Sequence, residues 1–307
     1  MRAIFPHHLG DMLADGESGA IPCYGHPLSN ESRSPPLWWL VVNSILRRLK
    51  RGLTPVAPRA MDDRAVFAIG DIHGCNDLLT ALLDAIADAR PPEGRRPLLI
   101  FLGDYVDRGP DSRGVIERLS RIRAEQPEAR FLCGNHEETM LSFLSDFDSG
   151  LAWTNYGGRE TMLSYGVTPP RDNDDFEGWR RAQQAFKAAI PDEHMKFLWG
   201  LEDRVEVGDY LFVHAGVRPD RPLEAQLVRD LRWIREPFLS HPKRLAKIIV
   251  HGHTPRNEPF SDERRIGVDT WAYRTGVLTA VELEGERRRF IQVQRNAEGS
   301  AAALEVA

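Results

Sequence analysis

The chain has 307 residues, 42% of them hydrophobic and 28% charged, proportions that exclude a wholly disordered or fibrous protein. At roughly 150 residues per domain, the length suggests two domains or one large one, with a core that needs no disulfide staples. Forty basic residues against 45 acidic ones give a net charge of −5, which argues against a nucleic-acid footprint across the chain.

Residues 1–60 differ in character from the remainder of the chain. Residues 7–34 carry many Gly, Pro, Ser and Asp without sustained periodicity, and this extension is expected to be disordered. Residues 36–51 then form an apolar stretch with four cations in its last five positions. A secretory signal has the opposite order, and the longest apolar run, residues 37–42, is too short to span a bilayer. As an amphipathic helix it suits either weak peripheral contact with an anionic membrane or packing on the globular body. Met61 is an alternative start, because the ordered pattern begins just after it. Three scattered cysteines, Cys23, Cys75 and Cys133, make no disulfide framework, so a reducing, cytoplasmic setting is expected.

From residue 65 strands alternate with helices. Residues 65–69 form a short β-rich run ending in Gly-Asp, and residues 76–89 place Leu78, Leu79, Leu82, Leu83 and Ile86 on one helical face. Residues 98–102 are a second buried strand, again ending in Gly-Asp. A helix over 112–126 turns Ile116, Leu119 and Ile122 inward, and a third strand over 129–133 ends in Gly-Asn-His-Glu. This β-α-β-α-β series implies parallel strands with right-handed crossovers. Residues 138–203 read as mainly helical, and the aromatic, Gly-rich run 153–159 suits either a substrate rim or a helical cap. Strand signals resume at 205–213, 247–250 and 266–268, then a hairpin joins 277–283 to 289–293. The Ala/Gly/Ser-rich residues 296–307 are expected to be a frayed tail, which leaves 61–295 as the folded domain.

Five short motifs carry the chemistry: Gly70-Asp-Ile-His-Gly74, Gly103-Asp-Tyr-Val-Asp-Arg-Gly109, Gly134-Asn-His-Glu137, Val213-His-Ala-Gly216 and His251-Gly-His-Thr254. Asp71, Asp104 and Asn135 are each about one strand–helix–strand unit apart, so adjacent parallel strands bring them together with His73. Carboxylate, imidazole and amide oxygen gathered in this way suit a hard or borderline divalent ion, and one bridging carboxylate makes a two-metal site.

These motifs resemble those of the calcineurin-like metallophosphoesterases, specifically the phosphoprotein phosphatase type with its bacterial and phage members. The resemblance covers about residues 64–295. It implies a four-layer α/β/β/α sandwich with two mixed sheets, and hydrolysis of phosphate monoesters by a metal-activated water. It also implies two divalent ions, manganese foremost, with iron or zinc as alternatives. By this resemblance Asp71, His73 and Asp104 bind the first ion, and Asp104, Asn135, His214 and His253 bind the second. His136 is then the general acid with Asp107 oriented against it. Arg108 holds phosphate, joined by Arg235, with Arg232 the competing choice.

Elementary chemistry supports the same roles. A phosphate monoester carries about two negative charges, so cations must admit the nucleophile, and a histidine near neutrality can protonate the leaving oxygen. Neither a Ser triad nor a Cys-x5-Arg loop appears around the three cysteines. His7, His8, His26, His194 and His241 are expected to be structural, Cys75 and Cys133 to be small buried hydrophobes, and His251 either to support the site or simply to pack.

The leading expectation is a serine/threonine protein phosphatase acting on a phosphorylated protein or small phosphoester. A symmetrical bis(5'-nucleosyl)-tetraphosphatase is the alternative among enzymes, and a catalytically silent, membrane-associated metal scaffold the alternative of another class. The rim over residues 138–210 and the loop before His253 discriminate the enzymes.

Overall fold

The computed structural model describes residues 57–61, 63–89, 96–172, 174–296 and 299–304. The basic segment 36–51, Cys23 and the expectations for residues 1–56 lie outside these residues.

β1 (Val66–Ile69) and β2 (Leu98–Phe101) are unbroken apolar runs because both of their faces are covered. Phe67 and Ile69 turn toward the helices, whereas Val66 and Ala68 turn toward the second sheet. β2 pairs in parallel with β1 and with the two-residue β3 (Arg130–Phe131). α1 (Asn76–Asp88) buries Leu78, Leu79, Leu82 and Ile86 in the helix–sheet core. α2 (Ser112–Glu125) buries Ile116, Leu119 and Ile122, and its N-terminus is capped by Asp111 accepting from the Gly114 N–H at 2.8 Å. Phe101 and Phe131 stack at 5.0 Å between centroids, and each buried aromatic adds roughly 1.5–3 kcal/mol.

The helical section contains α3 (Asn135–Ser145), α4 (Phe147–Gly150), a 3₁₀ turn (Leu151–Tyr156), α5 (Gly158–Ser164), α6 (Phe176–Ala189) and α7 (Asp192–Trp199). The second half supplies β4 (Arg204–Val207), β5 (Tyr210–Val213), α8 (Val228–Trp233), β6 (Ile248–His251), β7 (Phe260–Ser261), β8 (Arg265–Gly267), α9 (Ala272–Thr275), β9 (Val277–Glu284), β10 (Arg287–Arg295) and β11 (Ala301–Leu304). One sheet runs β11-β10-β9-β1-β2-β3 and the other β4-β5-β6-β8-β7, each mixing parallel and antiparallel pairs. Val66, Ile100, Phe212, Val250 and Val281 fill the core between the sheets, while Leu211, Val213 and Ile249 pack outward under Leu231 and Phe238. The result is the expected α/β/β/α sandwich.

Four details differ from the sequence expectations. The third strand stops after Phe131, because Leu132 bridges to Glu202 and the Cys133 N–H bonds to the Glu202 carbonyl at 2.8 Å. Residues 205–213 form a hairpin rather than one strand, turned by Gly208 at φ 55°. Residues 301–304, expected to be frayed, pair with β10 as an edge strand. Residues 57–60, expected to belong to the extension, are instead tied to both sheets. The Arg59 backbone exchanges bonds with Asp209, and the Ala60 N–H donates to the Gly285 carbonyl at 2.9 Å.

Candidate active site

Apart from Arg232 and Arg235, which lie in and just after α8, the candidate residues sit in loops at the carboxyl ends of strands or at the start of α3, where open α/β sheets bind ligands. Asp71 and His73 follow β1, and Asp104, Asp107 and Arg108 follow β2. Asn135 and His136 open α3, His214 follows β5, and His253 follows β6. Six described non-glycine residues have positive φ, and five of them are His73, Asp104, Asp107, Arg108 and His253. Such left-handed backbone costs on the order of 1–3 kcal/mol per residue, and it concentrates here to aim side chains at one point.

Asp104 is that point. Its Oδ1 lies 3.4 Å from His214 Nε2, and its Oδ2 lies 3.6 Å from His73 Nε2 and 3.9 Å from His136 Nε2. Two buried groups therefore share it: His73, Asp104 and His136, and Asp104, His214 and His253. Asn135 Oδ1 completes the second, at 3.1 Å from His214 Nε2 and 2.8 Å from His253 Nδ1. Asp71 stands outside both groups, its carboxylate accepting from the His253 backbone N–H at 3.0 Å.

The protonation pattern favours a cation. His73 Nδ1 faces the Val106 carbonyl at 2.8 Å and His214 Nδ1 the Leu102 carbonyl at 2.8 Å, so each ring carries its proton there. Burial holds both imidazoles below their ordinary pKa, hence neutral. The bare lone pair of His214 Nε2 consequently meets oxygens of Asn135 and Asp104 with no proton between them. Burial also drives His253 down to about 3, and its buried Nε2 has no hydrogen-bond partner. Asp71 is pushed well up by burial and by the carboxylates of Asp269 and Asp104. Asp269 is raised to about 6, mainly by burial. Asp104 is instead held low, against its burial, by His214 and the other imidazoles around it, and such crowded oxygen and imidazole acceptors suit a divalent cation.

His136 Nδ1 lies 2.6 Å from Asp107 Oδ2, which leaves Nε2 facing Asp104. Asp107 is fully buried and held from three sides. Trp153 Nε1 donates to its Oδ2 at 2.7 Å, Thr161 Oγ1 donates to its Oδ1 at 2.6 Å, and its own N–H donates to Thr161 Oγ1 at 2.8 Å. Thr161→Val is expected to lower kcat about tenfold at unchanged metal content, by loosening this carboxylate. Steady-state kinetics beside elemental analysis checks it, and a rate within twofold of the parent would refute the positioning role.

Arg108 donates from Nη1 to His73 Nε2 at 3.0 Å and lies 4.9 Å over the Tyr273 ring. Arg235 is exposed, 3.4 Å from the His253 carbonyl, so the two arginines flank the carboxylate cluster. Arg232, the competing choice, is engaged with Asp203 and Glu138. His251 packs against Phe238 and Arg265, outside both groups. His194 bonds Tyr165 and Glu117, a structural setting, and Cys75 and Cys133 are buried free thiols.

Sequence reasoning missed Thr161, Asp269 and Tyr273 as parts of this site, and gave no role of their own to Glu137, quoted in its motif, or to Trp153, placed in the run 153–159. Glu137 accepts from the N–H groups of Asp104, Tyr105, Val106 and Gly134, and so shapes the loop that presents Asp104. Its place in Gly-Asn-His-Glu was the available signal.

A model of calcineurin-like phosphoesterases matches residues 65–278. The chain belongs to this family. It is a hydrolase of the metallophosphoesterase type, and the family's divalent metal pair has side chains here that can hold it. Among curated relatives, a protein named bis(5'-nucleosyl)-tetraphosphatase PrpE [asymmetrical], from Anoxybacillus flavithermus, is 29% identical over 69% of this chain and 88% of its own length. Its Bacillus subtilis namesake is 27% identical over 66% and 84%. A bis(5'-nucleosyl)-tetraphosphatase, symmetrical, from Janthinobacterium is 32% identical over 50% and 44%. A crystal structure described as a candidate diadenosine tetraphosphatase superposes with TM-score 0.54 at 22% identity, covering 77% of this phosphoesterase and 98% of that chain, and agrees in fold. No described helix is long and apolar enough to cross a membrane.

Proposed function

We propose that this phosphoesterase hydrolyses bis(5'-nucleosyl) tetraphosphates with water as nucleophile. The carrying observation is that relatives named for this activity align over 84–88% of their own length around a site of this donor chemistry. The comparisons favour this alternative over the serine/threonine protein phosphatase reading. They also favour asymmetrical over symmetrical cleavage, because the symmetrical relative aligns over only 44% of itself.

In this reading Asp71, His73 and Asp104 would hold one divalent ion, and Asp104, Asn135, His214 and His253 the other. Mixed oxygen and imidazole donors suit manganese, with iron or zinc as alternatives. When bound, two such ions bring a water's pKa toward neutrality and neutralise charge on the phosphoryl oxygens. Arg108 offers a planar fork to the phosphate from the His73 side, and Arg235 a second cation from the His253 side. His136, biased toward its charged form by its carboxylate neighbours, gives its Nε2 proton to the departing oxygen while Asp107 holds Nδ1.

The test is product analysis of the manganese-loaded chain on diadenosine tetraphosphate, beside a phosphopeptide. AMP and ATP in equal amounts are expected. Two ADP would replace the asymmetrical reading with the symmetrical one, and turnover of the phosphopeptide alone would restore the protein phosphatase.

A further inference from the structure

We propose that a cavity beside Arg108 receives one nucleoside of the substrate, its base stacked on Tyr156; this deepens the tetraphosphatase reading and rests on it. The cavity measures 540 Å³, within the 300–1,000 Å³ usual for small-molecule sites, and is lined by Arg108, Asn155, Tyr156, Arg159, Glu160 and Tyr273 among others.

Its walls divide into fixed and available groups. Tyr273 is fixed: its hydroxyl accepts from Trp271 Nε1 at 2.6 Å, its ring meets the edge of His73, and the Arg108 guanidinium lies over it. Arg159 donates to the Pro170 carbonyl at 2.6 Å and lies over Trp179. Tyr156 is different. Its side chain ends the 3₁₀ turn at 65% exposure, a large aromatic surface left at the mouth of a cleft. Every nucleobase has a π-face, so such a ring binds bases with little regard to sequence. Asn155 and Glu160 are exposed beside it and add an amide and a carboxylate for base edges or ribose hydroxyls.

The cavity is also coupled to the phosphate end. The Arg108 N–H donates to the Gly157 carbonyl at 3.2 Å, and a Cβ on Gly157 would stand 2.5 Å from the Arg108 nitrogen. Tyr156 is therefore held one residue from the backbone that presents the phosphate arginine. A nucleoside seated here hangs from the phosphate at Arg108 itself, which makes a nucleoside monophosphate the product released on this side.

The experiment is inhibition of para-nitrophenyl phosphate hydrolysis by AMP and by ribose 5-phosphate, using the full manganese-loaded chain. The two inhibitors share a phosphorylated ribose and differ by the base. AMP is expected to inhibit at about tenfold lower concentration, a preference of the size that base stacking supplies. Tyr156→Ala is expected to erase that preference and Tyr156→Phe to keep it, with ribose 5-phosphate as the internal reference in each variant. Equal inhibition by both compounds in the parent, or a full preference retained in Tyr156→Ala, would overturn the assignment. A base preference without cleavage of diadenosine tetraphosphate would leave the pocket standing and remove the tetraphosphatase reading.

Discussion

Replacing His136 with Asn is expected to lower kcat on phenyl phosphate by about 10²–10⁴-fold while leaving bound metal unchanged. Burial works to strip the proton from His136, but the carboxylates of Asp104 and Asp107 more than offset it and raise the imidazole above its ordinary pKa. The ring is thus biased toward its charged form, with Nδ1 committed to Asp107 and Nε2 aimed into the site. A phenoxide with a pKa near 10 needs that proton, whereas para-nitrophenoxide is a better leaving group, so the loss should be smaller on the nitrophenyl ester. Because the working form is protonated, kcat on phenyl phosphate declines as pH rises through the raised pKa, and the variant should lack this alkaline limb. Near-normal turnover of phenyl phosphate by His136→Asn would sink the assignment.

Asp104→Asn should be as severe by a different route. Each carboxylate oxygen of Asp104 faces a different histidine group, His214 for Oδ1 and His73 for Oδ2, and an amide has only one oxygen to offer. Elemental analysis is expected to fall from two ions per chain to one or fewer. Activity should drop by about 10³-fold, the scale of several kcal/mol of lost charge stabilisation. Thermal unfolding of the metal-stripped variant separates this from misfolding. A cooperative transition in both stripped proteins is the expected result and shows that the variant folds. Two retained ions with an ordinary rate would refute the shared-carboxylate role.

Much of this architecture was legible locally. β1, β2, α1 and α2 lie within a residue of the segments read from apolar periodicity, because burial on both strand faces and on one helix face writes itself into neighbouring positions. Asp71, His73, Asp104 and Asn135 were legible because each closes a strand with a glycine turn. The supports of the site were not. Trp153 and Thr161 reach Asp107 from 46 and 54 residues away, through a helical section whose own pattern records only its packing. The run 153–159 divides between core and cavity. Trp153 is buried against Phe143 and Phe186, while Asn155 and Tyr156 border the cavity. β11 escaped notice because an Ala-rich edge strand takes its partner from β10 rather than from its own side chains.

The seat of Gly157 on the backbone of Arg108 means that the helical insertion and the loop carrying Arg108 share one mechanical joint. On the proposed reading, reshaping residues 151–160 to admit another molecule would also tilt the guanidinium offered to its phosphate. Selectivity and speed in this chain are therefore not independent dials, and libraries that vary the rim should score turnover together with preference.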